Sequence, residues 1–193
     1  MSINHWIVKN LVCTLFLVVG GLNIYAQKDK YLIEAEAFQF KGKWSTDRSA
    51  DCMGSAMLRL NGGGSLDEQF DALTVVNIME EGDYNVWVRS ADYDKLPGTR
   101  LFRLSVDEKP MKESGKHGKV GFYWENAGCV QLAKKQVLLR LHDTKRNFGR
   151  CDAILLVKDH SINPNEMDRK EVGKWRKNPV KIETKGSGFD NVS

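Results

Sequence analysis

Two glutamates near the start of the chain have the spacing of a cation site. Glu34 and Glu36 lie two residues apart in the segment YLIEAEAF, residues 31–38, which predicts a β-strand. Residues two apart in a strand point to the same face, so their carboxylates repel unless a positive charge neutralises them. A hard cation with oxygen ligands is the usual solution. The alternative is that both side chains lie on the solvated face of an edge strand.

A third acid, far along the chain, favours the cation site. Asp152 interrupts the otherwise apolar predicted strand 151–157. A lone carboxylate buried in such a strand needs a partner. If the first and last strands pair, Asp152 comes close to Glu34 and Glu36. We therefore predict that these three carboxylates share a cation.

The elements that would hold these residues are short strands separated by turns. Besides residues 31–38, we predict strands at 55–60, 70–79, 84–90, 101–106, 129–132, 136–141 and 151–157. None of the connections has helical periodicity, so the crossover helices of a parallel α/β fold are not expected. The predicted fold is all-β, an antiparallel β-sandwich of jelly-roll type.

The chain divides into three predicted segments. Residues 1–26 have the pattern of a signal peptide: Lys9 precedes a short apolar run, and cleavage is predicted after Ala26. The run is short for a membrane span, so we expect a secreted or periplasmic chain that does not span the membrane after cleavage. Residues 27–160 form the sandwich. Residues 161–193 are predicted to be a tail, with a helix from 164 to 175, that adds little to the core.

Charge and cysteine content exclude some functions. The chain has 29 Lys and Arg against 25 Asp and Glu. We predict that the excess positive charge lies mostly in the tail and forms no patch on the sandwich, so no nucleic acid partner is expected. After signal cleavage the cysteines are Cys52, Cys129 and Cys151, which allow at most one internal disulfide. The preferred interpretation is that these cysteines are free and buried, and one disulfide among them is the alternative.

No pattern of catalytic residues is convincing. The sequence contains no Gly-x-Ser-x-Gly nucleophile motif and no zinc-binding spacing of His or Cys. His142 and Asp143 are adjacent, but a structural histidine is the better interpretation. We therefore predict that the chain is not an enzyme, and an enzyme using His142 and Asp143 ranks last among the hypotheses.

Two segments rich in aromatic and polar residues predict a sugar-binding surface. They are GFYWENAG at 121–128 and KRNFGR at 145–150, both interpreted as loops. Exposed rings stack on the apolar faces of sugars, and amide or charged groups bond the hydroxyls. The alternative is that the rings cap the core. The predicted stacking residues are Trp44, Tyr123 and Trp124, and the predicted hydrogen-bonding residues are Arg89, Asn126, Arg146 and Asn147.

Several motifs resemble a known group of proteins. IEAE at 33–36 with CDAI at 151–154 is similar to carbohydrate-binding modules of families 6 and 35. GDYNVWVR at 82–89, with Trp124 and GRCD at 149–152, resembles the xanthan-lyase-type carbohydrate-binding domain. That domain occurs on secreted polysaccharide-degrading enzymes and on some predicted FAD-dependent oxidoreductases. The resemblance implies a galactose-binding-like fold, a structural Ca²⁺ held by Glu34, Glu36 and Asp152, and sugar contacts from loops at one end.

Together these observations predict a secreted, non-catalytic module that binds a polysaccharide or other glycan. A catalytic domain is a further predicted partner. The alternative is an accessory or remnant domain of a larger polysaccharide-degrading enzyme or FAD-dependent oxidoreductase, with no sugar affinity of its own.

Overall fold

The computed structural model describes residues 28–61, 70–144 and 148–182. The predicted signal peptide lies outside these ranges. The described strands are β1 (Lys30–Glu34), β2 (Trp44–Arg48), β3 (Ala56–Leu60), β4 (Ala72–Asn77), β5 (Gly82–Asp92), β6 (Phe102–Val106), β7 (Lys109–Ser114), β8 (Gly121–Leu132), β9 (Gln136–Asp143) and β10 (Arg150–Val157).

The strands form two antiparallel sheets that enclose one hydrophobic core. The first sheet has the order β2-β3-β10-β5-β8, and β1 also pairs with β10 on the side where β3 lies. The second has the order β4-β9-β6-β7. Alternate residues of β5, such as Tyr84, Val86 and Val88, face the space between the sheets and are fully buried. The predicted all-β antiparallel sandwich is confirmed.

The first and last strands pair as predicted. β1 lies antiparallel to β10, with Glu34 opposite Ala153. However, β1 ends at Glu34, and residues Ala35–Ala37 form a turn of 3₁₀ helix. Glu36 therefore does not share a strand face with Glu34, although both side chains extend towards the same loop, as described below.

The sequence pattern did not reveal β2, β7 or the first half of β8. Residues 121–128 were interpreted as a loop, yet β8 begins at Gly121 and pairs with β5 along its length. The alternating pattern is absent because both faces of this stretch are covered, so apolar residues occur on both. The pairing also shifts register between Val86 and Trp87, next to Gly128, which has a φ of 118°.

The C-terminal segment, residues 158–182, is more ordered than the predicted tail. It contains a 3₁₀ turn (Pro164–Glu166) and a short α-helix, α1 (Arg169–Gly173), instead of one helix from 164 to 175. Asp168 caps α1 by accepting a hydrogen bond from the backbone N–H of Lys170 at 2.7 Å. In the described part of the chain, every helix is too short or too polar to cross a bilayer.

The prediction that this segment adds little to the core is wrong. It covers the outer face of the first sheet and forms a second apolar cluster there. Its contributors are Ile162, Met167, Val172 and Trp175, and they pack on Leu32, Trp87, Trp124, Leu155 and Val157, among others. The backbone of the segment also bonds the edges of both sheets. The N–H of Lys177 donates to the Leu32 carbonyl and that of Val180 to the Val75 carbonyl, each at 2.8 Å.

Candidate functional site

The two tryptophans predicted to stack on sugar are core residues. Trp44 is only 3% exposed, and its ring packs edge-to-face on Phe102 with centroids 5.8 Å apart. Trp124 is 5% exposed beneath the C-terminal segment, where the Asn165 side chain bonds both its backbone N–H and its carbonyl. A buried ring has no free face for a sugar, so we withdraw both assignments.

The remaining predicted contacts are not gathered into one exposed surface. Arg89 forms an ion pair with the buried Asp152. Tyr123 is half-buried under Lys119, whose Nζ lies 3.6 Å from the ring centroid. Asn126 is exposed but accepts a hydrogen bond from the Gly128 N–H at 2.8 Å, which stabilises its own strand. The predicted Arg146 and Asn147 lie outside the described residues.

The structure brings the first two predicted metal ligands together. A Cβ added to Gly54 would lie 2.2 Å from Glu36 Oε1 and 2.7 Å from Glu34 Oε1, so both carboxylates reach the same loop. Glu34 Oε1 accepts a hydrogen bond from Arg176 Nε at 2.7 Å. Glu36 Oε1 accepts one from the Ser55 N–H at 2.8 Å. In the structure, a guanidinium and a backbone donor thus bond the two carboxylates.

The third predicted ligand, Asp152, is satisfied in the same way. It is fully buried, pairs with Arg89 and accepts hydrogen bonds from the Met53 N–H at 3.1 Å. Among residues 28–61, 70–144 and 148–182, no three His, Cys, Asp or Glu side chains are grouped to hold a metal ion. The side-chain arrangement does not fit the predicted Ca²⁺ set. Only Glu36 Oε2, buried without a hydrogen-bond partner in the described chain, favours a cation.

Burial shifts the pKa values of Asp152 and its neighbour Cys52. Burial of the carboxyl raises the pKa of Asp152 to about 6, although the Arg89 guanidinium acts in the opposite direction. Burial, followed by the charge of Asp152, raises the pKa of Cys52 to about 12, so this thiol stays protonated and unreactive at neutral pH. The structure contains no disulfide among the three described cysteines, Cys52, Cys129 and Cys151. Cys52 and Cys151 are buried, as the preferred interpretation has them, whereas Cys129 is exposed.

Chelation tests whether this region needs calcium. Because Arg176 and Arg89 already neutralise Glu34 and Asp152, EDTA should leave the melting temperature unchanged, and added Ca²⁺ should not raise it. The measurement is a thermal melt followed by circular dichroism, with Mg²⁺ as a control for ionic strength. A melting temperature that falls in EDTA and recovers specifically with Ca²⁺ would restore the site predicted from the sequence.

His142 belongs to a hydrogen-bonded network with Ser105 and Asp71. Its Nε2 lies 2.8 Å from Ser105 Oγ, and its Nδ1 lies 2.7 Å from Asp71 Oδ2. This order of groups is that of a hydrolase triad. However, Ser105 is 5% exposed within β6, which has β7 on one side and β9 on the other, so its hydroxyl is not accessible to a substrate. We therefore interpret the three residues as structural.

A different surface brings polar and aromatic groups together where β3 and β5 end and β10 begins. Tyr93 directly follows β5 and is 39% exposed. The Arg150 guanidinium lies over its ring, 4.6 Å from the centroid. The loop is held by Asp92, fully buried, which accepts hydrogen bonds from the N–H groups of Tyr93 at 2.8 Å and Gly98 at 2.6 Å. This ring is thus presented to solvent on a fixed backbone.

Polar side chains from β2 and β3 adjoin this ring. Arg59 is the cross-strand partner of Arg150, and Ser45 of Arg59. Asn61 Oδ1 accepts from Ser45 Oγ at 3.0 Å and from Arg59 Nη2 at 3.2 Å. Arg59 Nη1 lies 3.4 Å from Asp47. We refer to these residues as the apical patch: Ser45, Asp47, Arg59, Asn61, Tyr93 and Arg150.

The sequence analysis missed the apical patch. Arg150 ends the segment 145–150 that was interpreted as a binding loop, but it was not itself predicted as a contact. Tyr93 lies between two aspartates after a strand and belongs to no cluster of aromatic residues along the chain. The one available signal was the position of Tyr93 in a turn, where a ring is harder to bury than in a strand. The patch is formed from four strand ends that are up to 105 positions apart, as Ser45 and Arg150 show.

Comparison with known proteins supports the fold. No family model matches this sequence, and no curated protein matches it. Among solved structures, a family 35 carbohydrate-binding module from Clostridium thermocellum has a TM-score of 0.53 at 18% identity, covering 65% of this chain and 97% of that one. The C-terminal family 6 module of LamC, a laminarinase from Zobellia galactanivorans, has a TM-score of 0.52 at 15% identity, covering 67% and 100%.

A larger enzyme contains a similar domain. Paenibacillus xanthan lyase matches with a TM-score of 0.51 and 18% identity, over 65% of this chain and 13% of that one. The structures that this chain resembles are therefore carbohydrate-binding modules of families 35 and 6 and a domain of xanthan lyase, as the sequence motifs indicated. At these identities the likeness establishes the fold, a carbohydrate-binding-module β-sandwich.

Proposed function

We propose that this protein is a non-catalytic module that binds a polysaccharide at the apical patch. The observation that carries the proposal is the exposed Tyr93 ring, fixed on a rigid loop beside guanidinium, amide and carboxylate groups. A planar ring with hydrogen-bonding groups at its edge is suited to a pyranose, which has apolar C–H faces and hydroxyls around its rim. The carbohydrate-binding modules that share its fold support this proposal.

The proposal includes the setting of the module. Residues 1–26 have the pattern of a signal peptide, which supports export from the cytoplasm, where polysaccharides are met. Matching domains occur within larger enzymes, such as xanthan lyase, which supports a catalytic partner. A domain within a larger enzyme can also be an accessory domain without sugar affinity, so the same matches favour that second candidate function. Calcium binding stays a prediction from the sequence, and the chelation experiment decides it.

Replacing Tyr93 by alanine tests the site. If its ring stacks on sugar, Tyr93→Ala should weaken binding by roughly thirtyfold, the factor expected when a central aromatic contact worth ~2 kcal/mol is removed. The measurement is calorimetric titration, after affinity electrophoresis against a panel of soluble polysaccharides has identified a ligand. Because the side chain is partly exposed, folding should be preserved, and circular dichroism checks this.

Phe40 provides the matched control. It is an aromatic residue of similar exposure, 43%, and it lines a cavity of about 580 Å³ beside the second sheet with Asp71, Leu73 and Arg140. Phe40→Ala should leave binding unchanged. If Phe40→Ala abolishes binding and Tyr93→Ala does not, the sugar site lies at that cavity. A folded wild-type chain that binds no polysaccharide would favour the accessory domain.

A further inference from the structure

Two arginines face each other across neighbouring strands in the apical patch. Arg59 on β3 and Arg150 on β10 are direct cross-strand partners. Like charges in that position destabilise a sheet. Burial of the guanidinium lowers the pKa of Arg150, and the charges of Arg100, in the loop after β5, and of Arg59 lower it further. The sequence pattern did not indicate this cluster, because its arginines come from distant parts of the chain.

The acids nearby do not balance this charge. Asp47 lies 3.4 Å from Arg59, and Asp92 lies 3.9 Å from Arg100. Arg150 has no carboxylate within ion-pair distance in the ranges that the structure describes, where its contacts are the Phe148 carbonyl at 3.1 Å and the Tyr93 ring.

Donor atoms in this cluster are also unused. The Nε atoms of Arg59, Arg100 and Arg150 are buried, and none has a hydrogen-bond partner in the described chain. A buried donor without a partner costs free energy, so this arrangement of guanidiniums is not optimal by itself. Among the described residues, the cluster has three guanidiniums against the two carboxylates of Asp47 and Asp92.

We propose that the ligand of the apical patch is an acidic polysaccharide, whose carboxylate or sulfate oxygens bind between Arg59 and Arg150 while the sugar ring contacts Tyr93. A planar guanidinium donates two parallel hydrogen bonds to either anion, and such charge-assisted bonds are stronger than those to neutral hydroxyls. Two adjacent guanidiniums repel each other. An anion bound between them relieves this repulsion, and a neutral glycan does not. This inference rests on the proposed function and specifies its substrate class.

The test compares polymers that differ only in charge. Polygalacturonate and its methyl ester differ in the free carboxylate, and carrageenan and its desulfated form differ in sulfate. The folded chain should bind at least one charged polymer about tenfold or more tightly than its neutral counterpart, and the preference should weaken as salt rises. Preference for polygalacturonate identifies a carboxylate as the anion, and preference for carrageenan identifies a sulfate.

Variants separate a specific site from general charge attraction. Arg150→Ala should remove most of the preference for the charged polymer, and Arg150→Lys should restore it only in part, because an ammonium lacks the planar fork. Arg48→Ala, an exposed arginine further along β2, removes the same charge and should have little effect. Equal losses from Arg48→Ala and Arg150→Ala would overturn the inference.

The outcomes also distinguish this inference from the proposed function. Binding of charged and neutral polymers with equal affinity, with Tyr93→Ala still damaging, would overturn the acidic ligand and leave the polysaccharide module intact. Absence of binding to any polymer by the folded chain would overturn both.

Discussion

Truncation after Ser161 should abolish cooperative folding or lower the free energy of unfolding by several kcal/mol. The deleted residues include Ile162, Met167, Val172 and Trp175, which pack on the outer face of the first sheet. A fully buried side chain such as Val172 contributes about 1.5–3 kcal/mol, and the three partly buried ones contribute less each, against the roughly 5–15 kcal/mol stability of a whole domain. Ordering the segment offsets part of this gain. Urea unfolding followed by tryptophan fluorescence and circular dichroism measures the loss.

Two controls make this experiment specific. Truncation after Lys177 removes, among described contacts, only the backbone bond of Val180 and the 3.2 Å contact of Ile182 with Gln39, so it should change stability little. Within α1, Val172→Asp places a charge on the buried side, whereas Lys170→Asp places the same residue on the exposed side. Only Val172→Asp should lower the free energy of unfolding. Similar unfolding curves for the two truncations would show that the segment is dispensable.

Trp124→Ala should lower the free energy of unfolding by about 3–5 kcal/mol, the cost of removing a large buried ring from a packed core. The ring is 5% exposed, and its strand is covered by the C-terminal segment, so little relaxation can fill the space. Chemical denaturation measures the effect. Trp124→Phe should cost less because it retains an aromatic ring.

The same variant distinguishes the two assignments of Trp124. As a stacking residue it would lose glycan affinity without losing stability, whereas as a core residue it loses stability first. Asn126→Ala, two positions along β8, should be nearly neutral for unfolding because its side chain is exposed. A Trp124→Ala protein with wild-type stability and no glycan binding would return Trp124 to the binding site.

The sequence patterns located most strands but misjudged the loops. The strands predicted at 101–106 and 151–157 differ from those observed by one residue. Alternation marked the first, whereas a continuous apolar run marked the second, whose two faces pack in two different clusters. In β8 the pattern failed. Trp124 is covered by a segment some 40 positions later in the chain, and Tyr123 by Lys119 and His117 from the preceding loop. Aromatic residues on both faces then resembled an exposed loop.

The candidate site depended even more on distant contacts. Asp152 was correctly predicted to need a partner, and the structure places Arg89 beside it, which the sequence pattern did not indicate. The positive charge of Arg176 reaches Glu34 only because the C-terminal segment returns along β1. A carboxylate in a strand indicates that it needs a counter-charge, and nothing local specifies whether that charge is a metal or a guanidinium.

By itself the sequence determined that this protein is an antiparallel β-sandwich, because residue alternation and turn residues are local properties of the chain. The pairing of β1 with β10 entered only as a condition for the shared cation, and the tertiary structure decided it. Tertiary structure alone decided which rings are exposed, as the burial of Trp44 and Trp124 and the exposure of Tyr93 show. It also decided where charge accumulates, since Arg59 and Arg150 are 91 positions apart in sequence yet opposite each other in the sheet. Exposure and electrostatic field depend on what packs against a residue, and in a sandwich those neighbours come from distant strands.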